Sequence, residues 1–329
     1  MRRRRTAGGL LAAGLALLLA GCAGGSVGDF DETPLTSGPV LRAGFDAEFL
    51  VRPDGYPGLR ATYGLEFAAE PEKIGPRAMY EALAARTVDV ICGFSTDARI
   101  AAYDLVALRD DRAFFPAYDA APLVRAQTLK KHPQLEALLG RLAGTLSAET
   151  MCRLNHEVDR GEGARAPRDV AREFLLARKL IAPDAGPGDG SAGTIAVGGK
   201  NFTEQDILVE MTAILIESSA NIRVERKASM AGTLDCFQAI RGGDLDVYAE
   251  YAGTALVILE RDLVSSPAKA HAIVRAEMKK RFDLAWLEPF GFSNSYALVM
   301  RRADAEALGI RTISDLARYN RRRSAGGER

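Results

Sequence analysis

The residues that could do covalent or metal chemistry are few and poorly placed for it. Cysteines stand at Cys22, Cys92, Cys152 and Cys236 with no C-x-x-C pair, and His132, His156 and His271 are scattered. A structural zinc site needs clustered thiolate and imidazole ligands, so none is expected. Asp110 and Asp111 adjoin, and read as a solvated or structural pair, not a catalytic dyad. Gly24-Gly25-Ser26-Val27-Gly28 spells the G-x-S-x-G of a nucleophile elbow, but no strand precedes it. Gly186, Gly188 and Gly190 alternate like a nucleotide loop, again with no strand before them. Neither a P-loop nor H-E-x-x-H occurs. No enzyme, metal or cofactor is expected. What stays chemically distinctive is a pair of rings, Phe94 and Tyr251, each at the end of a strand-like run.

Those rings belong to two related segments. Residues 80–97 read YEALAARTVDVICGFSTD, and residues 237–254 read FQAIRGGDLDVYAEYAGT. They align without a gap at an offset of 157, matching Ala82 with Ala239, Asp89 with Asp246 and Val90 with Val247. Phe94 falls opposite Tyr251. Both segments read as helix, turn, buried strand, with strands over 88–91 and 245–247 and the aspartates as turn or helix-cap carboxylates. Shared α/β grammar and two like-built lobes both account for this. Ligands of open α/β sheets bind beyond the carboxyl ends of strands, which puts both rings at a candidate cleft.

Other elements fit the same α/β layering. A short strand is expected over 194–197 and an amphipathic helix over 204–217. Residues 182–193, APDAGPGDGSAG, read as a flexible linker between 41–181 and 194–329. The chain has 329 residues, 47% hydrophobic and 26% charged, enough for two lobes with their own cores. Arg2, Arg3, Arg4 and Arg5 precede a short apolar run that ends at Cys22, the pattern of a signal peptide over 1–21. Leu19-Ala20-Gly21-Cys22 resembles a bacterial lipobox, which implies lipidation of Cys22 and a flexible tether over 22–40. No later run of eighteen apolar residues occurs. The functional part is therefore expected outside the cytoplasmic membrane, held to it by lipid alone. Without the four arginines, 39 basic residues face 43 acidic ones, a net charge of −4 that disfavours nucleic acid.

Longer motifs carry a resemblance. TIAVGGKNF (194–202) with Thr203-Glu204-Gln205, GTLDCFQAI (232–240), DLDVYAEYAGT (244–254), GFSNSYALVMRR (291–302) and TISDLA (312–317) are similar to the substrate-binding proteins of osmoprotectant ABC transporters. EFLVRPDG (48–55), VDVICGFSTDARI (88–100), LRDDRAFFPAYDAAPLVR (108–125) and MCRLNHEVD (151–159) continue the match. That family binds glycine betaine, carnitine, choline and related quaternary amines. Its halves stand here in reversed order. The resemblance therefore implies either a circular permutation joined through 182–193 or a truncated tandem array.

The family fold implied is a type II periplasmic-binding-protein clamshell with two crossover strands. One lobe would take 97–181 and 194–294, and the other 41–95 with 297–329, the crossings lying near 93–96 and 295–299. A quaternary ammonium donates no hydrogen bond, and aromatic faces suit its diffuse charge. By residue-wise match the aromatic box is Tyr251, Tyr296, Tyr118 and Phe94, the last standing where relatives carry tyrosine. Lys200, Arg52 and Thr254 match the carboxylate anchor, with Gln205 and Asp235 as tuning residues. If both cations reach the site, a zwitterion fits better than choline, which would leave them unpaired. The implied function is capture of a glycine betaine-like solute and delivery to ABC permease and ATPase subunits, by a monomer. The alternatives are a choline-specific binder, a sensory or scavenging lipoprotein without a transporter, and a remnant that binds nothing.

Overall fold

The computed structural model describes residues 38–326. The expected signal peptide, Cys22 and most of the tether lie outside the described residues. Ten strands follow in chain order: β1 (Ala43–Phe45), β2 (Glu72–Lys73), β3 (Val90–Phe94), β4 (Leu105–Ala107), β5 (Ala120–Arg125), β6 (Thr194–Lys200), β7 (Arg223–Met230), β8 (Val247–Tyr251), β9 (Leu284–Trp286) and β10 (Tyr296–Arg301). They build two five-stranded sheets, ordered β2-β1-β3-β10-β4 and β7-β6-β8-β5-β9. In each sheet four strands run parallel to one another, and the fourth in order, β10 or β5, runs antiparallel to both its neighbours. The fold is α/β with mixed sheets, and the two lobes share one plan.

The internal similarity is visible in that plan. β3 and β8 are the central strands, fed by the helices Ala78–Ala84 and Thr233–Gly242. Their runs VICGF and VYAEY are almost wholly buried, as strands covered on both faces must be. Phe94 and Tyr251 are their last residues. The preceding aspartates are not helix caps. Asp89 accepts the backbone N–H of Arg42 at 3.0 Å, and Asp246 that of Ala196 at 2.8 Å. Each carboxylate thus ties the central strand to the start of its parallel neighbour, where a backbone donor would otherwise lack a partner.

The crossings lie elsewhere than expected. After β3 the chain turns through 95–98 and the short helix Arg99–Ala102, then returns to the same sheet as β4, which pairs with β10. Residues 97–107 therefore belong with 41–95, and the first crossing is 108–119. β10 starts at Tyr296 and pairs only within the β3 sheet, so the second crossing is 287–295. The segment near 93–96 is a staple between strands: Ser95 N–H donates to the Ser295 carbonyl at 2.9 Å, and Ser295 N–H to Ser95 Oγ at 3.0 Å. The Asp110–Asp111 pair is structural, accepting from Tyr63 Oη, Phe115 N and Ser314 N in the first crossing.

The chain's two junctions are short and seated. Residues 182–193 join the helix Pro167–Ala177 to β6, and they are held, not loose: Gly188 N–H donates to Glu217 O at 2.8 Å and Ala192 N–H to Asn221 O at 3.1 Å. At the other end Tyr319 Oη, on the helix Ile313–Gly326, donates to Pro39 O at 2.8 Å. Both halves of the chain thus contribute strands to both lobes or to the crossings between them.

Candidate functional site

A cavity of about 340 Å³ opens between the lobes at the ends of β3, β6 and β8. All four expected rings line it, as do Lys200, Arg52 and Thr254. The rings form one continuous row with a fifth member. Tyr118 meets Tyr296 edge-on at 5.9 Å, Tyr296 stacks on Phe94 at 5.5 Å, Phe94 on Phe202 at 5.3 Å, and Phe202 on Tyr251 at 6.2 Å. Phe202 is the member that the motif match does not single out, although it sits in the KNF motif two residues after Lys200. The local backbone explains the gathering: Phe94 and Tyr251 end central strands, Tyr296 begins β10, and Tyr118 sits in the first crossing. Tyr118 can lie flat there because residue 253 is glycine, where a Cβ would fall 2.5 Å from its ring.

The expected anchor reaches the cavity already engaged. Arg52 grips Asp54 with Nε at 2.8 Å and Nη2 at 2.5 Å, and donates to Glu48 Oε2 at 3.2 Å and Thr254 Oγ1 at 3.0 Å. Lys200 Nζ lies 2.6 Å from Glu250 Oε1, both groups buried. The expectation that choline would leave two cations unpaired is therefore corrected: Arg52 and Lys200 each have a carboxylate partner within the protein. Buried charges need such partners because the interior solvates them poorly. What the pair offers a ligand is directed N–H donors, not surplus positive charge. Burial alone would depress the Arg52 guanidinium, but Tyr296 and Asp54 outweigh it and raise its pKa well above the ordinary value. The cations also sit over rings, Lys200 Nζ 5.2 Å from the Tyr251 centroid and the Arg52 guanidinium 5.7 Å from that of Tyr296.

Behind the rings lies a directional relay. Lys200 N–H donates to Gln205 Oε1 at 3.2 Å, so the Gln205 amide nitrogen faces the other way. It donates to Ala249 O at 3.1 Å and to Tyr251 Oη at 3.0 Å. The Tyr251 hydroxyl proton then points to Glu204 Oε1, 2.6 Å away. Gln205 is fully buried and supports the wall without lining the cavity. Asp235 does not line it either; it is exposed on the outer face of the helix Thr233–Gly242, whose buried residues are Thr233, Cys236, Phe237 and Ile240. Its proposed tuning role is withdrawn.

Both rims of the cavity are bridged between lobes. Glu48 accepts from Thr233 N and, at 2.8 Å, from Thr233 Oγ1. Burial raises the Glu48 carboxyl, but Lys200, Thr233 and Arg52 outweigh it and hold it below the ordinary value. Gly232 admits this contact, since a Cβ there would meet Glu48 Oε1 at 2.5 Å. On the opposite rim Arg77 donates to Asn201 Oδ1 at 3.1 Å, Thr203 Oγ1 at 3.4 Å and Asp206 Oδ2 at 2.6 Å. Asp46, also lining the cavity, is pushed up by burial. Among the described residues no group of three or more His, Cys, Asp or Glu side chains could hold a metal ion.

A cavity walled by rings between two like-built lobes, with directed donors at one side, has the geometry of a binding site. Residues 28–177 and 193–329 match the family model OpuAC, the substrate binding domain of ABC-type glycine betaine transport system, and the chain belongs to that family. It is 43% identical over 137 residues to the carnitine transport binding protein OpuCC of Listeria monocytogenes, covering 41% of this chain and 43% of that one. It is 34% identical over 149 residues to a glycine-betaine-binding protein of Pseudomonas aeruginosa, covering 45% of each. A crystal structure of a glycine betaine/carnitine/choline ABC transporter aligns at 36% identity over 42% of this chain and 50% of that one, with a TM-score of 0.31. The chain spans less than half the length of the curated relatives it matches.

Proposed function

We propose that this chain is an extracytoplasmic receptor that closes two lobes around a quaternary ammonium solute and presents it to the permease of an ABC importer. The observation that carries this is the row of five rings beside the Lys200, Arg52 and Thr254 donors in one cavity. Rings attract the trimethylammonium face by cation–π interaction, worth up to about 2 kcal/mol per desolvated contact. The remaining N–H groups of Lys200 and Arg52 and the hydroxyl of Thr254 would take a carboxylate such as that of glycine betaine or carnitine. Cys22 would carry the lipid anchor, the receptor would act as a monomer, and ATP would be used by partner subunits.

A choline-like alcohol is a second reading, favoured by one observation: Glu250, Asp54 and Glu48 already neutralise both cations. The order of the halves is best read as a circular permutation. Three facts support it: one cavity draws on both halves, residues 182–193 span their gap in a fixed path, and Pro39 abuts Tyr319. Calorimetric titration of the chain from residue 23 with glycine betaine, carnitine, proline betaine and choline tests the reading. One saturable site per chain for a carboxylate-bearing ligand is expected. Binding of choline alone would remove the anchor assignment, and no binding by a cooperatively folded chain would refute the receptor.

A further inference from the structure

Glu204 is fully buried behind the ring wall and is not a residue to which the motif match gives a role. Its carboxylate collects four donors from four segments: Thr96 Oγ1 at 2.6 Å, Tyr251 Oη at 2.6 Å, Asn294 Nδ2 at 3.0 Å and Asn155 Nδ2 at 3.5 Å. Two of these are amide nitrogens, which only donate, and Tyr251 is forced to donate because its oxygen already accepts from Gln205. All four partners can donate to an ionised carboxylate at once. Among the described residues no Lys or Arg is bonded to it. It also lines a small void with Phe94 and Phe202, on the far side of these stacked rings from the ligand cavity. Burial holds the Glu204 carboxyl above its ordinary value, and the four donors offset that rise only in part.

We propose that Glu204 is the counter-charge of the ligand's quaternary ammonium, acting through the ring wall without touching the ligand. The carboxylate polarises the Tyr251 hydroxyl and so enriches the π face turned to the cavity, and its field crosses a thin aromatic layer of low dielectric. Lys200 and Arg52 are each neutralised by a carboxylate of their own, so neither cancels this charge at the cation. Glu204 is a positioning residue in contact terms, since it also holds Tyr251 against Asn294 of the second crossing. The proposal rests on the quaternary-amine reading above.

The test compares glycine betaine with 3,3-dimethylbutyrate, in which an uncharged tert-butyl group replaces trimethylammonium. Both are measured by ligand-observed magnetic resonance at millimolar concentration, on wild type and Glu204→Gln. The amide keeps the shape and removes the charge. Wild type is expected to prefer betaine, and in Glu204→Gln that preference is expected to fall about tenfold with the isostere little changed. Equal losses for both ligands, or no loss, would overturn the counter-charge and leave a structural hub. If wild type binds neither of these ligands nor choline, the quaternary-amine reading fails instead. Should Glu204→Gln not fold, Tyr251→Phe cuts the hydroxyl link and keeps the ring. A selective loss for betaine of about threefold then supports the proposal, and equal losses refute it.

Discussion

Arg77 gives the most direct handle on closure. It stands before the helix Ala78–Ala84, and its carbonyl accepts from Arg99 Nη1 at 2.9 Å, which fixes its backbone in the β3 lobe. Its guanidinium reaches Asn201, Thr203 and Asp206 on the β8 lobe. The side chain is 41% exposed, so the ion pair with Asp206 is discounted to well under its contact value. With two modest neutral bonds added, the clasp stabilises the bridged form by about 1 to 1.5 kcal/mol. Because these bonds bridge the two lobes at the rim, Arg77→Ala should weaken ligand by about five- to tenfold. The loss should appear in the dissociation rate, since a bond across the rim must part before the lobes release ligand. Stopped-flow displacement of glycine betaine at low and high sodium chloride reads both quantities. Wild-type dissociation should quicken with salt as the exposed pair is screened, and the variant should respond less. A variant with wild-type dissociation, or one altered only in association, would refute the clasp.

Three further outcomes are expected. Phe94→Ala truncates a half-buried ring of the wall, so betaine affinity should fall at least tenfold by calorimetry for a stability loss of about 1 to 2 kcal/mol. Asp89→Asn should cost about 1 to 3 kcal/mol at pH 7, because Arg301 and half-exposed Arg42 lose their shared carboxylate. Burial raises the Asp89 carboxyl, but the bonds from Arg42 and Arg301 prevail and hold it below the ordinary value. Its contribution is therefore complete above the unfolded pKa of about 4 and vanishes as pH falls through the lowered folded value. Melting curves of wild type and variant should converge on acidification; a constant gap would refute the assignment. A chain relinked from the helix Ile313–Gly326 to Pro39 and opened within 182–193 should bind betaine within about twofold of the original. Loss of binding in a folded relinked chain would argue against permutation.

Several parts of this site could be read from residue order. Strand-end rings announce themselves because a buried run stops at an aromatic, and the repeat at offset 157 marks β3 and β8 as equivalents. The return of β4 could not be read. It is three residues long, has no apolar alternation, and owes its place to pairing with β10 nearly two hundred residues on. The outward position of Asp235 is legible in the sequence. Apolar positions at 236, 237 and 240 fix the inward face of that helix, and residue 235 falls off it.

The charge pattern is the part that sequence conceals most completely, and it bears most on ligand choice. Lys200 finds Glu250 fifty residues away, and Glu48 finds Thr233 across 185. Neither pairing follows from spacing. Taken as lone charges, Lys200 and Arg52 make the cavity a trap for anions. Taken with Glu250, Asp54 and Glu48, they supply fixed donors on a near-neutral wall. A carboxylate would then be held by geometry more than by charge, and lengthening the ligand between ammonium and carboxylate should be penalised steeply. Carnitine places two extra carbons, one of them bearing a hydroxyl, between those groups, so its affinity relative to glycine betaine measures how rigidly the donors are set. A ratio near one would mean that the donors move to follow the carboxylate, and that the carboxylates gripping them do not fix their direction.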